Sequence, residues 1–252
     1  MAVSRRVAAL CGSAGVALFA LTGTAFAEDK LGWSATLTGT SDYVFRGISQ
    51  TENDPTIQGS LGLTYGLFYA GWWASGLDWN PIDPKAQVEM DWYGGIKPTW
   101  GKATFDLGVI YYTYPGSLDV PGFGSTSILE LKSGISGEIL PKLTASVTNY
   151  YAPDVNNFDY DVVEASLSYA LPKTWVFDPT VSGLYGHQES FGTRVLDYNY
   201  WNAGLTLAVD KLAFDFRYWD SDISDAQCSG FVGFANDSCT SRFVASATVS
   251  LP

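Results

Sequence analysis

The chain has 252 residues, with 26 acidic against 14 basic side chains and a formal net charge of −12. So acidic a surface repels phosphate, which excludes nucleic acid as a partner. Charged residues make up only 16% against roughly 25% in ordinary soluble domains, while aromatics reach 15%, so the composition leans towards a membrane-embedded strand protein.

The first 27 residues read as a secretory signal peptide. Arg5-Arg6 form a positive start, 7–21 is an apolar run, and Ala25-Phe26-Ala27 supplies the small-x-small cleavage pattern. This predicts a mature chain beginning near Glu28, about 225 residues long once 27 are removed from 252. An uncleaved anchor is the alternative, set against the shortness of the apolar run. The residues after Arg5-Arg6 are Val-Ala-Ala, which favours Sec-type over twin-arginine export, and Cys11 follows Leu10 rather than the small residue of a lipoprotein signal. Beyond the signal no run approaches the ~18 apolar residues of a spanning helix. A membrane protein of this sequence therefore has to be a closed barrel, since lipid leaves strand backbones no other partner.

Period-two alternation then runs the length of the mature chain. Trp33, Ala35, Leu37, Gly39, Ser41, Tyr43 and Phe45 share one face of a first segment, with Thr36, Thr38, Thr40, Asp42 and Arg46 opposite. The segment 56–65 alternates less cleanly, and 68–79 is aromatic on both faces, which leaves its phase open. In the fourth, Val88, Met90 and Trp92 oppose Glu89, Asp91 and Tyr93; in the fifth, Phe105, Leu107, Val109 and Tyr111 oppose Thr104 and Asp106. Leu129, Leu131 and Ile135 then oppose Glu130, Lys132 and Glu138. Leu143, Ala145 and Val147 oppose Thr144, Ser146 and Thr148, and Val163, Ala165 and Leu167 oppose Glu164, Ser166 and Ser168. Segments 180–188 and 198–208 are less regular. Finally Leu212, Phe214, Phe216 and Tyr218 oppose Asp215 and Arg217, and Phe243, Ala245, Ala247 and Val249 oppose Arg242, Val244, Ser246 and Thr248.

The connections alternate between short turns, at 66–67, 98–102, 140–142, 172–178 and 209–210, and longer polar stretches, at 47–55, 80–85, 115–125, 153–159, 189–197 and 221–241. Five short turns and six long loops predict an all-β, twelve-stranded antiparallel transmembrane barrel, a single domain over 28–252, in the bacterial outer membrane with both termini on the periplasmic side. Lys97, Lys102, Lys142, Lys173 and Lys211 lie at the short turns; Glu52, Asp54, Asp83, Asp119, Asp154, Asp159, Glu189, Asp222, Asp225 and Asp237 crowd the long loops. Outer-membrane lipid and lipopolysaccharide are the expected surroundings. Cys228 and Cys239, an even pair in an exported chain, read as one disulfide across the last loop.

The stretch Thr40-Ser-Asp-Tyr-Val-Phe-Arg-Gly-Ile-Ser-Gln-Thr-Glu-Asn-Asp-Pro-Thr-Ile-Gln-Gly59, with Phe68-Tyr-Ala-Gly-Trp-Trp-Ala-Ser-Gly-Leu-Asp-Trp79 after it, resembles the proteobacterial porin group called the TorF family. The resemblance implies an outer-membrane barrel and a pore, with no established substrate. From the residues alone, Asp42 and Arg46 fall on the inward face of the first segment and either brace the interior or gate it, while Gly47 and Asn53-Asp54-Pro55 supply turn chemistry.

The candidate lumen lining is Asp42, Arg46, Glu89, Asp91, Asp106, Glu130, Lys132, Glu138, Glu164, Asp215, Arg217 and Arg242. So many charges are costly to bury dry, which favours a water-filled passage over a packed plug. The competing arrangement is a set of salt-bridge ladders that closes a twelve-stranded bore. The acid excess points to a cation-preferring channel for passive diffusion of small hydrophilic solutes or ions. A non-conducting structural or adhesive barrel is the second reading and an outer-membrane hydrolase the third, a soluble periplasmic barrel lying behind both. For hydrolysis the sequence offers a single histidine, His187, with Ser190 nearby, and the pair Glu89 and Asp91, which needs no catalytic explanation. The Asp and Asn residues of the loops lack the spacing of a metal loop, and no cofactor is called for.

Overall fold

The computed structural model describes residues 30–79, 83, 85–117, 127–155, 158–191, 196–229 and 236–251. The expected signal segment 1–27, with Arg5, Arg6 and Cys11, lies outside the described residues, as does Asp119. Twelve antiparallel strands form one meander: β1 Gly32–Thr40, β2 Thr56–Tyr65, β3 Phe68–Gly76, β4 Val88–Ile96, β5 Ala103–Thr113, β6 Ile128–Leu140, β7 Leu143–Val155, β8 Phe158–Ala170, β9 Asp178–Phe191, β10 Tyr198–Val209, β11 Leu212–Ser221 and β12 Arg242–Leu251. Each pairs with its neighbours in sequence. β12 returns to β1, with Thr36 opposite Ser250 and Thr40 opposite Ser246, so the sheet closes and leaves no edge.

Alternation sets the two faces. Trp33, Leu37, Leu61, Trp92, Leu131, Leu167, Phe216 and Phe243 face out and stay exposed, Leu37 to 59% and Phe243 to 81%. A soluble monomer rarely leaves an apolar patch of more than a few hundred Å² uncovered, whereas here the belt runs around the whole barrel, as a hydrocarbon-facing wall does. In β3 the open phase resolves by packing. Trp72 faces out beside Trp92, ring centroids 6.4 Å apart, and Trp73 faces in, 4% exposed. Large inward rings are accommodated over glycines of the next strand: a Cβ on Gly186 would lie 2.2 Å from the ring of Tyr200, and one on Gly71 2.4 Å from that of Tyr93.

Two expectations need correction. The stretch 153–159 is mostly strand, because β7 runs to Val155 and β8 starts at Phe158. The first segment does not continue to Arg46. β1 stops at Thr40, whose hydroxyl donates to the Asp42 carbonyl, and the Asp42 carboxylate gathers Ser49 Oγ at 2.7 Å and Thr51 Oγ1 at 2.8 Å. These local bonds compete successfully with the ladder. Val44–Phe45 then pairs with Ile48–Ser49 in a hairpin whose two turn residues, Arg46 and Gly47, both have positive φ (49° and 82°), as a type I′ turn requires.

Candidate functional site: the bore and the loop across it

That hairpin folds into the barrel rather than away from it. Tyr43 stacks edge-on against Trp73 of β3 at 5.2 Å and donates its hydroxyl to Glu89 of β4 at 2.8 Å. Phe45 meets Tyr112 of β5 at 6.0 Å. Arg46 reaches Glu130 of β6 through both terminal nitrogens, at 2.7 and 3.0 Å, and each Glu130 oxygen also accepts a phenol, from Tyr160 and Tyr112, both at 2.8 Å. The guanidinium lies against the rings of Phe45, Tyr150 and Tyr160 at 4.7, 5.1 and 5.8 Å. At the tip, a Cβ on Gly47 would sit 2.9 Å from Tyr200 Cβ and 3.0 Å from Ser221 Cβ, so bare backbone presses on β10 and β11. One loop thus touches walls on opposite sides of the bore.

At the long-loop end the hairpin joins an apolar cluster: Val44 and Ile48 with Val162, Leu196, Tyr198, Tyr200, Trp219 and Ile223. The last loop completes it, bridged by Cys228 and Cys239, which are 0% and 3% exposed. Arg242 ties the root of the hairpin to β12, binding Asp42 at 3.0 Å and reaching Asn53. At this mouth Glu52 lies near Asp78, Asp237 and Asp54, and desolvation together with these like charges raises its carboxyl above the usual range.

The other half of the bore is different in kind. Hydroxyls line it, and pairs such as Thr36 with Ser60 at 2.6 Å, Thr38 with Thr248 at 2.8 Å and Ser146 with Ser166 at 2.7 Å are part-buried. Asp106 holds Lys132 at 2.8 Å and Lys97 at 3.7 Å and accepts from Tyr69. Arg217 binds Asp215, Asn202 at 2.6 Å and Ser182 at 3.0 Å. Between the two halves, Glu164 in the middle of β8 accepts from Tyr200 of the long-loop cluster.

Of the sequence-derived lining residues, Glu89, Asp91, Asp106, Glu130, Lys132, Glu164, Asp215 and Arg217 lie on the inward wall, and Arg242 at its long-loop rim. Glu138 shares that face but is exposed near the short-turn end of β6. Asp42 and Arg46 belong to the inserted loop instead of the wall. The expectation of water throughout the bore is corrected in the long-loop half, where the side chains of Arg46 and Glu130 are only 4% and 0% exposed. Dry burial is tolerable there because every Glu130 oxygen meets one guanidinium N–H and one phenol. The tyrosine lining carries no charge and was not singled out in the sequence, although Tyr112 and Tyr150 sit in the inward phase. Lys97, assigned to a turn, reaches into the bore.

His187 faces outward, its Nδ1 2.9 Å from Asn199 Oδ1, and Ser190, three residues on, falls on the opposite face of β9. The two do not form a base–nucleophile pair.

Comparison with known proteins adds fold and family. A NanC porin structure superimposes with a TM-score of 0.57 at 10% identity, over 86% of this chain and 99% of that one. A chain solved in work on in-meso crystallisation of membrane proteins gives 0.50 at 9% identity, over 87% and 83%. A loop-deletion form of OmpT, an outer membrane protein of Vibrio cholerae, gives 0.41 at 11% identity, over 88% and 99%. At such identities the first two show a shared barrel fold. A search of curated proteins returns no match. Residues 25–250 match the family described as "Bacterial protein of unknown function (Gcw_chp)", and the chain belongs to that family.

Proposed function

We propose that the protein is an outer-membrane channel through which small hydrophilic solutes, cations preferred, pass by diffusion, with the first loop as its constriction. The observation that carries this reading is the opposition of faces: an apolar belt outside a closed barrel and a polar wall inside it. Hydroxyls and charges along the inner wall are the lining that water and ions require. Cation preference rests on Glu164, which forms no ion pair among the described residues, and on the acids Glu52, Asp54, Asp78 and Asp237 gathered at the mouth. In this reading residues 1–27 direct Sec-type export and are removed, the short turns face the periplasm, and the TorF-like motif 40–59 is the constricting loop. Lipid and lipopolysaccharide surround the belt.

The loop across the bore favours a second reading, a barrel that does not conduct at rest. Planar-bilayer recording of the refolded protein under a salt gradient separates the two. Discrete openings with a cation-selective reversal potential support the channel. No current from the intact barrel, together with large current after deletion of 43–50, supports a closed resting state. No current from either form refutes the channel.

A further inference from the structure

On the inward face of β4, Glu89 and Asp91 are 3% and 5% exposed. Glu89 accepts a phenol on each oxygen, from Tyr43 at 2.8 Å and Tyr114 at 3.0 Å, the pattern of an ionised carboxylate. Asp91 Oδ1 is buried and meets no hydrogen-bond donor among the described residues. Its register partners are Trp73 and Tyr112. Tyr112 donates its hydroxyl to Glu130, and Arg46 is already held through both terminal nitrogens by Glu130. Two carboxylates therefore share a dry corner with no positive charge assigned to them among the described residues, an arrangement the protein interior strongly disfavours unless a counter-ion joins it.

We propose that Glu89 and Asp91 together hold one hard divalent cation of the calcium class beneath the first loop. The charge matches, two carboxylates to one divalent ion. All the donors are oxygen, which such ions select. Residues two apart on one strand face are about 7 Å apart, so two carboxylates can converge on an ion at about 2.4 Å each. No third acidic, His or Cys side chain joins Glu89 and Asp91 in a metal-binding group among the described residues, so water completes the coordination. Asp91 is the nearer of the pair to the short-turn end, which gives the ion a route through the hydroxyl-lined half. Bound there, the ion would tie the wall to the inserted loop through Glu89 and Tyr43. The site depends on the barrel geometry and not on conduction.

Terbium is the probe, because Trp73 and Tyr43 stand beside the site and would sensitise its emission. Refolded full-length barrel in detergent is titrated with Tb³⁺ alone and then with competing Ca²⁺. The expected result is a saturable emission that calcium displaces, weakened at least about tenfold in half-saturation by Asp91→Asn. A double variant of the exposed loop acids, Asp54→Asn with Asp237→Asn, should leave that phase unchanged, and heat-modifiable gel mobility verifies that each variant is folded. Absence of a saturable phase, or one that survives Asp91→Asn in a folded barrel, overturns the site and leaves Asp91 neutralised by a proton. Neither outcome bears on whether the barrel passes current.

Discussion

Replacing Glu130 with glutamine leaves the Arg46 guanidinium in place, charged and 4% exposed, and takes away the anion it faces. Glu130 accepts four bonds, two from Arg46 and one each from Tyr112 and Tyr160. Glutamine keeps one acceptor oxygen and turns an NH₂ towards the other two donors, so one guanidinium N–H and one phenol lose their partner. Breaking a buried pair by removing one member costs about 3–5 kcal/mol. The ladder that closes the barrel does not involve this side chain, so the barrel stays closed and the cost of the unpaired guanidinium falls on the seated loop. At about 1.4 kcal/mol per tenfold, the seated state loses a factor of roughly 10² to 4 × 10³ relative to a displaced one. Two readouts follow: current through a planar bilayer, expected to rise in open probability, and labelling of a cysteine placed at Ile48, expected to accelerate. The paired variant Arg46→Met with Glu130→Leu removes both charges together and should recover much of the seated state. Wild-type current and labelling in a folded Glu130→Gln barrel would refute the claim that this pair holds the loop.

Gly47→Val attacks the same loop sterically, since the tip has positive φ and its Cβ would press on Tyr200 and Ser221; cysteine labelling at Ile48 should accelerate without loss of the barrel's heat-modifiable mobility. Gly186→Ala places a methyl 2.2 Å from the Tyr200 ring and should destabilise the barrel by about 1–3 kcal/mol, read as a lower unfolding midpoint in urea. Cys228→Ser with Cys239→Ser should cost about 2–4 kcal/mol of local stability in the last loop, seen as faster proteolysis there, with β1 to β12 still protected. Neutralising Asp106 by Asp106→Asn leaves Lys132 and Lys97 without their shared anion, and the reversal potential in a salt gradient should move towards anions.

Strand count, closure and facing were legible because one physical rule governs the chain twice per pair of residues. Lipid on one side and polar groups on the other write themselves into alternation, and even the ambiguous 68–79 follows it once Trp72 and Trp73 are seen to serve opposite faces. The inserted loop was not legible as such. The hairpin at 44–49 is itself extended, so the alternation from Trp33 continues through it without a break. Arginine is an uncommon occupant of a left-handed turn position, and its φ of 49° is held by Glu130, 84 residues away. The charges of the bore could be placed on a face from the sequence, but their partners could not. Which phenol meets which carboxylate depends on the stagger between strands, and Tyr160 reaches Glu130 across two strand boundaries.

The inserted hairpin also constrains how a molecule of this protein comes into being. Its anchors, Glu130 and Arg242, lie 84 and 200 residues away from their partners in the loop, and the pocket for Gly47 is formed by β10 and β11, among the last strands made. Contacts of such long sequence separation form late, after the chain entropy they oppose has already been reduced by closer pairings. The full set of contacts that seats the loop is complete only when β10, β11 and β12 are in place. Seating the hairpin therefore belongs to the last steps of assembly, and a copy stalled before its final strands pair has a loop that lacks part of its anchorage.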